Sequence, residues 1–251
     1  MASDETRRGG CRSRGFTLVE LLVVVSIISL MMSLLLPSLN RAQKQAEQVH
    51  CLANQHQLYL AWTLFSTDSD DHLCSRPQSL RRYAADEDIL VCKTAREHSL
   101  PSALVSLHSS YGVSNTMGGV FRDGVKPFLR FHTITRPGEY LVFIDKEQNS
   151  SDRFWPLLRD TEQKKWLWRP PDLFGVGGIT SRHSNGCNAT FADGHGDMVR
   201  WKDQRTLGLI KGTFADEVEA SENNADLTYL VRVLVGGIPV QDEVEETSKE
   251  K

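Results

Sequence analysis

The side chains best suited to chemistry crowd one stretch of the sequence: His183, Asp193, His195 and Asp197. Imidazoles and carboxylates ligate metals, and on a regular strand Asp193, His195 and Asp197 would project from one face. Glycines at 194 and 196 argue instead for a turn, since Asp-Gly is the strongest short hairpin signal. Zinc requires about three convergent N or S ligands and calcium about six to eight oxygens, and one such cluster does not supply the calcium set. The expectation is a turn at Asp193-Gly194 that His183 holds through the turn backbone or the Asp193 carboxylate, with no metal or cofactor. A hydrolase would use His183 as base, Asp193 to orient it and Ser181 or Ser184 as nucleophile. Neither serine lies in a G-x-S-x-G elbow, so the stretch reads as a loop and no enzymatic activity is expected.

Trp155, Trp166 and Trp168 lie among Pro156, Pro170 and Pro171. Exposed, they could stack on sugars or on a partner protein; burial is the commoner fate of such rings. The glycines at 175, 177 and 178 have no Lys-Ser/Thr after them, so this is a flexible loop rather than a phosphate cradle. The chain of 251 residues carries 29 Lys+Arg against 32 Asp+Glu, a net charge of −3, with no long basic tract, which argues against a nucleic-acid partner. Its 5 cysteines include no C-x-x-C pair, so zinc ribbons and thioredoxin-type motifs are not expected.

The elements that must position these groups begin with an apolar run over residues 16–36, in which Glu20 is the single charge. As a helix it is about 31 Å long, the thickness of a bilayer's hydrocarbon core. Arg7, Arg8, Arg12 and Arg14 precede it, so the N-terminus should stay cytoplasmic and the remainder should lie outside. A secretory signal peptide would have a shorter core and a small-residue cleavage site. A plain anchor gives no reason for Glu20. Beyond Pro37, Leu39, Ala42, Ala46, Val49, Ala53, Leu60 and Leu64 recur at helical spacing with His56 among them, predicting one helix over residues 16–65, bent at Pro37, whose apolar face packs on a head. Segments 128–135, 140–144, 189–191, 198–201 and 228–235 read as strands separated by turns. An α+β fold follows, with antiparallel strands covering one long helix.

Arg14-Gly15-Phe16-Thr17-Leu18-Val19-Glu20 and the apolar run ending at Pro37 resemble the class III signal of type IV pilins and type II secretion pseudopilins. The resemblance implies cleavage after Gly15 by a prepilin peptidase, N-methylation of Phe16, and a role for Glu20 in assembly with other pilin-like subunits. There is a physical reason for that role: the cationic amine on Phe16 can pair with a neighbour's Glu20 carboxylate inside the membrane. Glu20 also stands where a helix dipole favours negative charge, so it can simply cap the helix.

Further along, His183, nine residues and then Asp193-Gly194 resemble the H-x9-DG signature of a set of prepilin-type envelope proteins. The segments around Cys51 to Leu58, Val91-Cys92, Tyr111 to Asn115, Arg136-Pro137, Phe143 to Asp145 and Phe191 to Trp201 match that group in order, although Cys92-Lys93 replaces its usual Cys-Pro. The resemblance implies a pseudopilin-like envelope protein and names an assembly route better than a task. If Cys11 leaves with the leader, Cys51, Cys74, Cys92 and Cys187 remain in a compartment that permits disulfides, with three possible full pairings. Cys51 with Cys92 is favoured, because the end of the long helix and the first head strand must dock and both cysteines lie in family-like motifs; Cys74 and Cys187 can pair or stay free.

The organisation expected is a cleaved leader (1–15), a transmembrane and filament-core helix (16–36), its amphipathic continuation (37–66), an α+β head with the H-x9-DG hairpin (67–240) and a polar tail (241–251). The expected protein is a single-pass subunit of the inner membrane with its head periplasmic, touching lipid, the peptidase and sister subunits. The rival reading is a tethered module whose head recognises polysaccharide or an envelope protein through the region from Trp155 to Trp168.

Overall fold

The computed structural model describes residues 17–84, 86–96, 109–147, 152–169, 178–211 and 217–236. Residues 1–16, and with them the leader, Gly15 and Phe16, lie outside the described residues, as do 170–177 and the tail. The chain divides into two units, Met1–Gln43 and Lys44–Lys251.

Helix α1 (Leu18–Asp68) opens with a reciprocal cap. Glu20 Oε2 accepts from the Thr17 amide at 2.9 Å and the Thr17 hydroxyl at 2.7 Å, while the Glu20 amide donates to Thr17 Oγ1 at 3.3 Å. This is a Thr-x-x-Glu capping box. In the first unit the side chains of the apolar run are exposed, and the helix is long and apolar enough to cross a membrane. Its hydroxyls are compatible with hydrocarbon, because Ser26, Ser29, Ser33 and Ser38 each donate to a carbonyl one turn back, at 2.7 Å. Pro37 lies within α1 and does not end it.

In the second unit α1 packs on a sheet, but through a different face from the one the apolar spacing predicts. The buried positions are Cys51, Asn54, Gln55, Leu58, Ala61, Trp62 and Ser66. Val49, Ala53, His56, Leu60 and Leu64 are exposed instead, on the opposite side of the helix at about 100° per residue. The covered face carries Gln55 among its apolar residues because it meets buried polar groups of the sheet, so hydrophobicity alone selects the wrong stripe.

After α1 come a short helix α2 (Lys93–Arg96) and the strands β1 (Tyr111–Ser114), β2 (Leu141–Asp145), β3 (Arg153–Phe154), β4 (Leu157–Asp160), β5 (Lys165–Trp168), β6 (Gly186–Phe191) and β7 (Gly196–Arg200). Helices α3 (Gln204–Ile210), α4 (Glu217–Ser221) and α5 (Ala225–Leu234) follow. Five strands form one sheet in the order β3-β1-β2-β6-β7, and β4 and β5 form a separate hairpin. The sheet is mixed rather than purely antiparallel, since β3 runs parallel to β1. Both faces are covered. Cys51, Leu58, Trp62, Tyr111, Val113 and Phe143 share one core, and Ile144, Cys187, Ala189, Phe191, Leu230 and Val233 share the other. This explains why β2 and β6 are buried at every residue instead of at alternate ones.

Two expected strands are not strands. Residues 128–135 make isolated bridges, such as Met117 to Phe128, and a single 3-10 turn at Phe131–Thr133. The β-rich segment 228–235 falls in helix α5 and its C-cap Val235, and Asn224 caps the start by accepting from the Asp226 and Leu227 amides at 2.9 and 3.0 Å. Leu227, Leu230, Val233 and Leu234 are buried along it at helical spacing, and that burial overrides β propensity.

Candidate functional site

Residues from distant segments, Cys51, Gln55, Cys92, Asp145, His183 and Asn188, meet where α1 crosses the sheet. Cys51 on α1 and Cys92, just before α2, are joined by a disulfide with 5.4 Å between their Cα atoms. Cys92 is held in place by its amide, which donates to Ser110 Oγ at 2.5 Å just ahead of β1. Cys74 and Cys187 are free and buried.

His183 lies beside this bond. Its Nε2 is 3.5 Å from Cys92 Sγ and 3.4 Å from Asp145 Oδ2, at the end of β2. Asp145 is wholly buried, and both of its oxygens accept hydrogen bonds. Gln55 Nε2 donates to Oδ1 at 3.0 Å and the Asn188 amide donates to Oδ2 at 2.7 Å. Gln55 spans from helix to sheet, donating also to the Asn188 carbonyl at 3.0 Å and accepting from Thr190 Oγ1 at 3.0 Å. The Asn188 side chain donates back to the Gln48 carbonyl at 3.1 Å. Alternation on β6 makes this possible: Asn188 and Thr190 face α1, while Cys187 and Ala189 face the other core. Arg182 bridges the neighbouring strands, its Nη2 donating to the Ser110 and Lys146 carbonyls at 3.1 and 2.8 Å.

Burial sets the electrostatics. It raises the Asp145 carboxyl, against the opposing pull of Arg182, His183 and its hydrogen bonds. It lowers the His183 imidazole, with Asp145 opposing, and it pushes the Cys187 thiol well up. Lys146, the next residue after Asp145, is pushed down to about 8 by desolvation.

The hairpin places the other half of the motif elsewhere. His183 pairs with Asp145, not with Asp193, so the expected bond from His183 to the turn is corrected; the loop of residues 181–185 turns the imidazole under the sheet toward α1. Asp193 Oδ1 instead pairs with His195 Nδ1 at 2.5 Å, and the His195 ring stacks on Phe191 with centroids 4.3 Å apart. Asp197 accepts from the Met198 amide at 2.7 Å. The four metal candidates His183, Asp193, His195 and Asp197 therefore do not form one cluster. Among the described residues, the ligating side chains that do converge are Cys51, Cys92 and His183. The same separation leaves no His183 and Asp193 pair beside Ser181 or Ser184, and Ser184 sits in the turn with φ 51°.

Gly194 makes the turn with φ +90°, and a Cβ there would lie 2.6 Å from the Tyr59 ring of α1. Tyr59 in turn donates to the Ala192 carbonyl at 3.2 Å. The two ends of H-x9-DG thus grip one helix at two places, His183 near Cys51 and Gly194 over Tyr59. Gln55, Asp145, Arg182 and Asn188 are the residues that spacing alone did not single out. The available signal was a carboxylate directly ending the apolar strand Leu141–Asp145 and a glutamine on the covered helix face.

Trp155 and Trp168 are buried, so surface recognition through them is corrected. Trp155 Nε1 donates to Asp123 Oδ2 at 2.6 Å beneath the Asp123 to Arg169 ion pair. Trp166 is half-buried and lines a groove of 780 Å³ between the β4 to β5 hairpin and α4 and α5, with Lys164, Glu222 and Asn223.

Residues 11–36 match the prokaryotic N-terminal methylation motif. The chain is 36% identical over 59 residues to the type IV major pilin protein PilA of Myxococcus xanthus (strain DK1622), a stretch that is 24% of this chain and 27% of that one. It thus spans about a quarter of the length of the curated relative it matches. No solved structure matches. A long apolar N-terminal helix, a small mixed-sheet head and that motif together define a pilin-like, membrane-anchored α+β protein.

Proposed function

We propose that this protein is a non-enzymatic pseudopilin-type subunit, cut after Gly15 by a prepilin peptidase, methylated at Phe16, and assembled with sister subunits through α1, with its head outside the cytoplasm. The observation that carries the assembly reading is the exposed stripe of α1. Val49, Leu60 and Leu64 are 65%, 48% and 53% exposed on a helix whose other side is already covered by its own head. A soluble domain would normally bury such a stripe, and an apolar helix face without a cover is a partner surface. The capping box adds a condition: the Glu20 carboxylate that serves Thr17 within the chain must exchange that bond for a neighbour's Phe16 amine on docking.

Mass spectrometry of the native membrane form tests the processing. It should begin at methylated Phe16, and recovery of Met1 or Ala2 would refute cleavage. Gly15→Leu should leave an anchored, unassembled precursor. Glu20→Ala should keep membrane insertion, because the span becomes more apolar, and should reduce subunit cross-linking. A binding module remains the rival, with Trp166 and its groove in place of the buried tryptophans. Saturable glycan binding by full-length chain, lost in Trp166→Ala while cross-linking is absent, would favour it.

A further inference from the structure

We propose that Cys51, Cys92, His183 and Asp145 form a zinc site whenever the Cys51 to Cys92 disulfide is not formed, so that the clasp between α1 and the sheet is closed either by a bond or by a metal ion. The inference goes beyond assembly and does not depend on it. Two thiolates, an imidazole and a carboxylate are a zinc donor set. One ligand atom each from Cys51, Cys92 and His183 lie within 4.8 Å of one another, and Asp145 Oδ2 is 3.4 Å from His183 Nε2. Tetrahedral ligands at about 2.0 to 2.3 Å from zinc are separated by roughly 3.3 to 3.8 Å, a spacing that His183 Nε2 already keeps from Cys92 Sγ and from Asp145 Oδ2, while the bonded sulfurs must part to reach it.

The surroundings suit an ion. Gln55 and the Asn188 amide already orient the carboxylate, as outer partners orient metal ligands. Zinc with two thiolates and one carboxylate leaves one negative charge, and the Arg182 guanidinium that favours ionised Asp145 supplies the compensating positive one. Cys187 faces the opposite core and is not a ligand.

Binding breaks two S–H bonds, forms two Zn–S bonds and releases two protons. When the clasp opens locally and exposes one sulfur, a disulfide-bearing thiol oxidant converts the zinc dithiolate to the Cys51 to Cys92 bond: the two thiolates give up two electrons, the oxidant's S–S bond becomes two thiolates, and Zn²⁺ leaves. Because both sulfurs are wholly buried, the metal form belongs to chains that fold before their thiols are oxidised.

The test uses full-length chain in detergent micelles, prepared once oxidised and once in a phosphine reductant, and titrated with zinc against a chromogenic chelator. The reduced chain should take up one zinc and the oxidised chain none. His183→Ala and Asp145→Asn should each weaken binding by about tenfold or more, and Cys11, Cys74 and Cys187 replaced together by Ala should leave it unchanged. X-ray absorption on reduced wild type, which needs no variant, should show two sulfur neighbours and two N or O neighbours. The proposal is overturned by a reduced chain that takes up no zinc, by affinity that His183→Ala does not alter, by loss of binding in the triple Ala variant, or by a different sulfur count.

Discussion

At the scale of single residues, the buried pair of His183 and Asp145 is the most consequential feature of the head. Removing His183 takes one partner from a buried carboxyl that keeps Gln55 and the Asn188 amide, which typically costs about 1 to 3 kcal/mol. His183→Ala in oxidised full-length chain should therefore lower stability by about that amount in urea unfolding. Adding Asp145→Asn should cost less than the sum of the two single changes, since the second acts on the group that the first leaves short of a partner. Lys146 gives a pH signature. Its folded value of about 8 lies below its ordinary value of 10.5. Between these the unfolded chain holds the proton and the native chain has lost it, so stability rises with pH across the window, by roughly 3 kcal/mol in total. Unfolding free energies measured at about pH 8 and again near pH 10.5 should show this rise, and Lys146→Met should flatten it.

At the scale of elements, the hairpin from β6 to β7 docks on α1 through its glycines. Gly194 combines φ +90° with a close approach to the Tyr59 ring, so two independent costs meet there. Gly194→Val should destabilise by about 3 kcal/mol or more, from backbone strain and from the clash. Tyr59→Ala in the same chain should restore the steric part alone, and thermal melts of the single and double variants would separate the two. The disulfide pins the same helix at Cys51 and closes a loop between residues 41 apart, contributing about 2 to 4 kcal/mol through the unfolded state. The helix is therefore held at three places: by a covalent bond, by the polar bridge through Gln55, and by the hairpin.

At the scale of the whole molecule, α1 has one face covered by the head and one exposed face that the proposed assembly would use. The face bearing Leu58 and Trp62 holds the head, and each such side chain contributes about 1.5 to 3 kcal/mol on burial. The face bearing Val49, Leu60 and Leu64 contributes nothing to that core. Leu60→Glu with Leu64→Lys should leave the melting temperature of the chain within a few degrees of wild type, as surface changes do. The same pair should abolish subunit cross-linking in membranes, and unchanged cross-linking would count against the stripe as a contact surface. Trp62→Ala should do the reverse at the level of stability, with a loss of about 3 to 5 kcal/mol.

Much of this protein is written in local pattern. The apolar run, the residues of the capping box from Thr17 to Glu20 and the Asp193-Gly194 turn follow from length, charge and turn chemistry, which need only near neighbours. The outcome was less local elsewhere. Which side of α1 meets the head was decided by partners far along the chain: Asp145, Asn188 and Thr190 engage Gln55 on the face that also buries Cys51, Leu58 and Trp62. The fate of His183 was decided in the same way, because its partner stands at the end of a strand 38 residues earlier (183 − 145) and the nearer Asp193 takes its own neighbour His195. Residues 228–235 became a helix because a capping asparagine and a curved apolar face outweighed β propensity. Periodicity reports that a face exists, but only the tertiary structure, by bringing distant groups together, decides what that face meets.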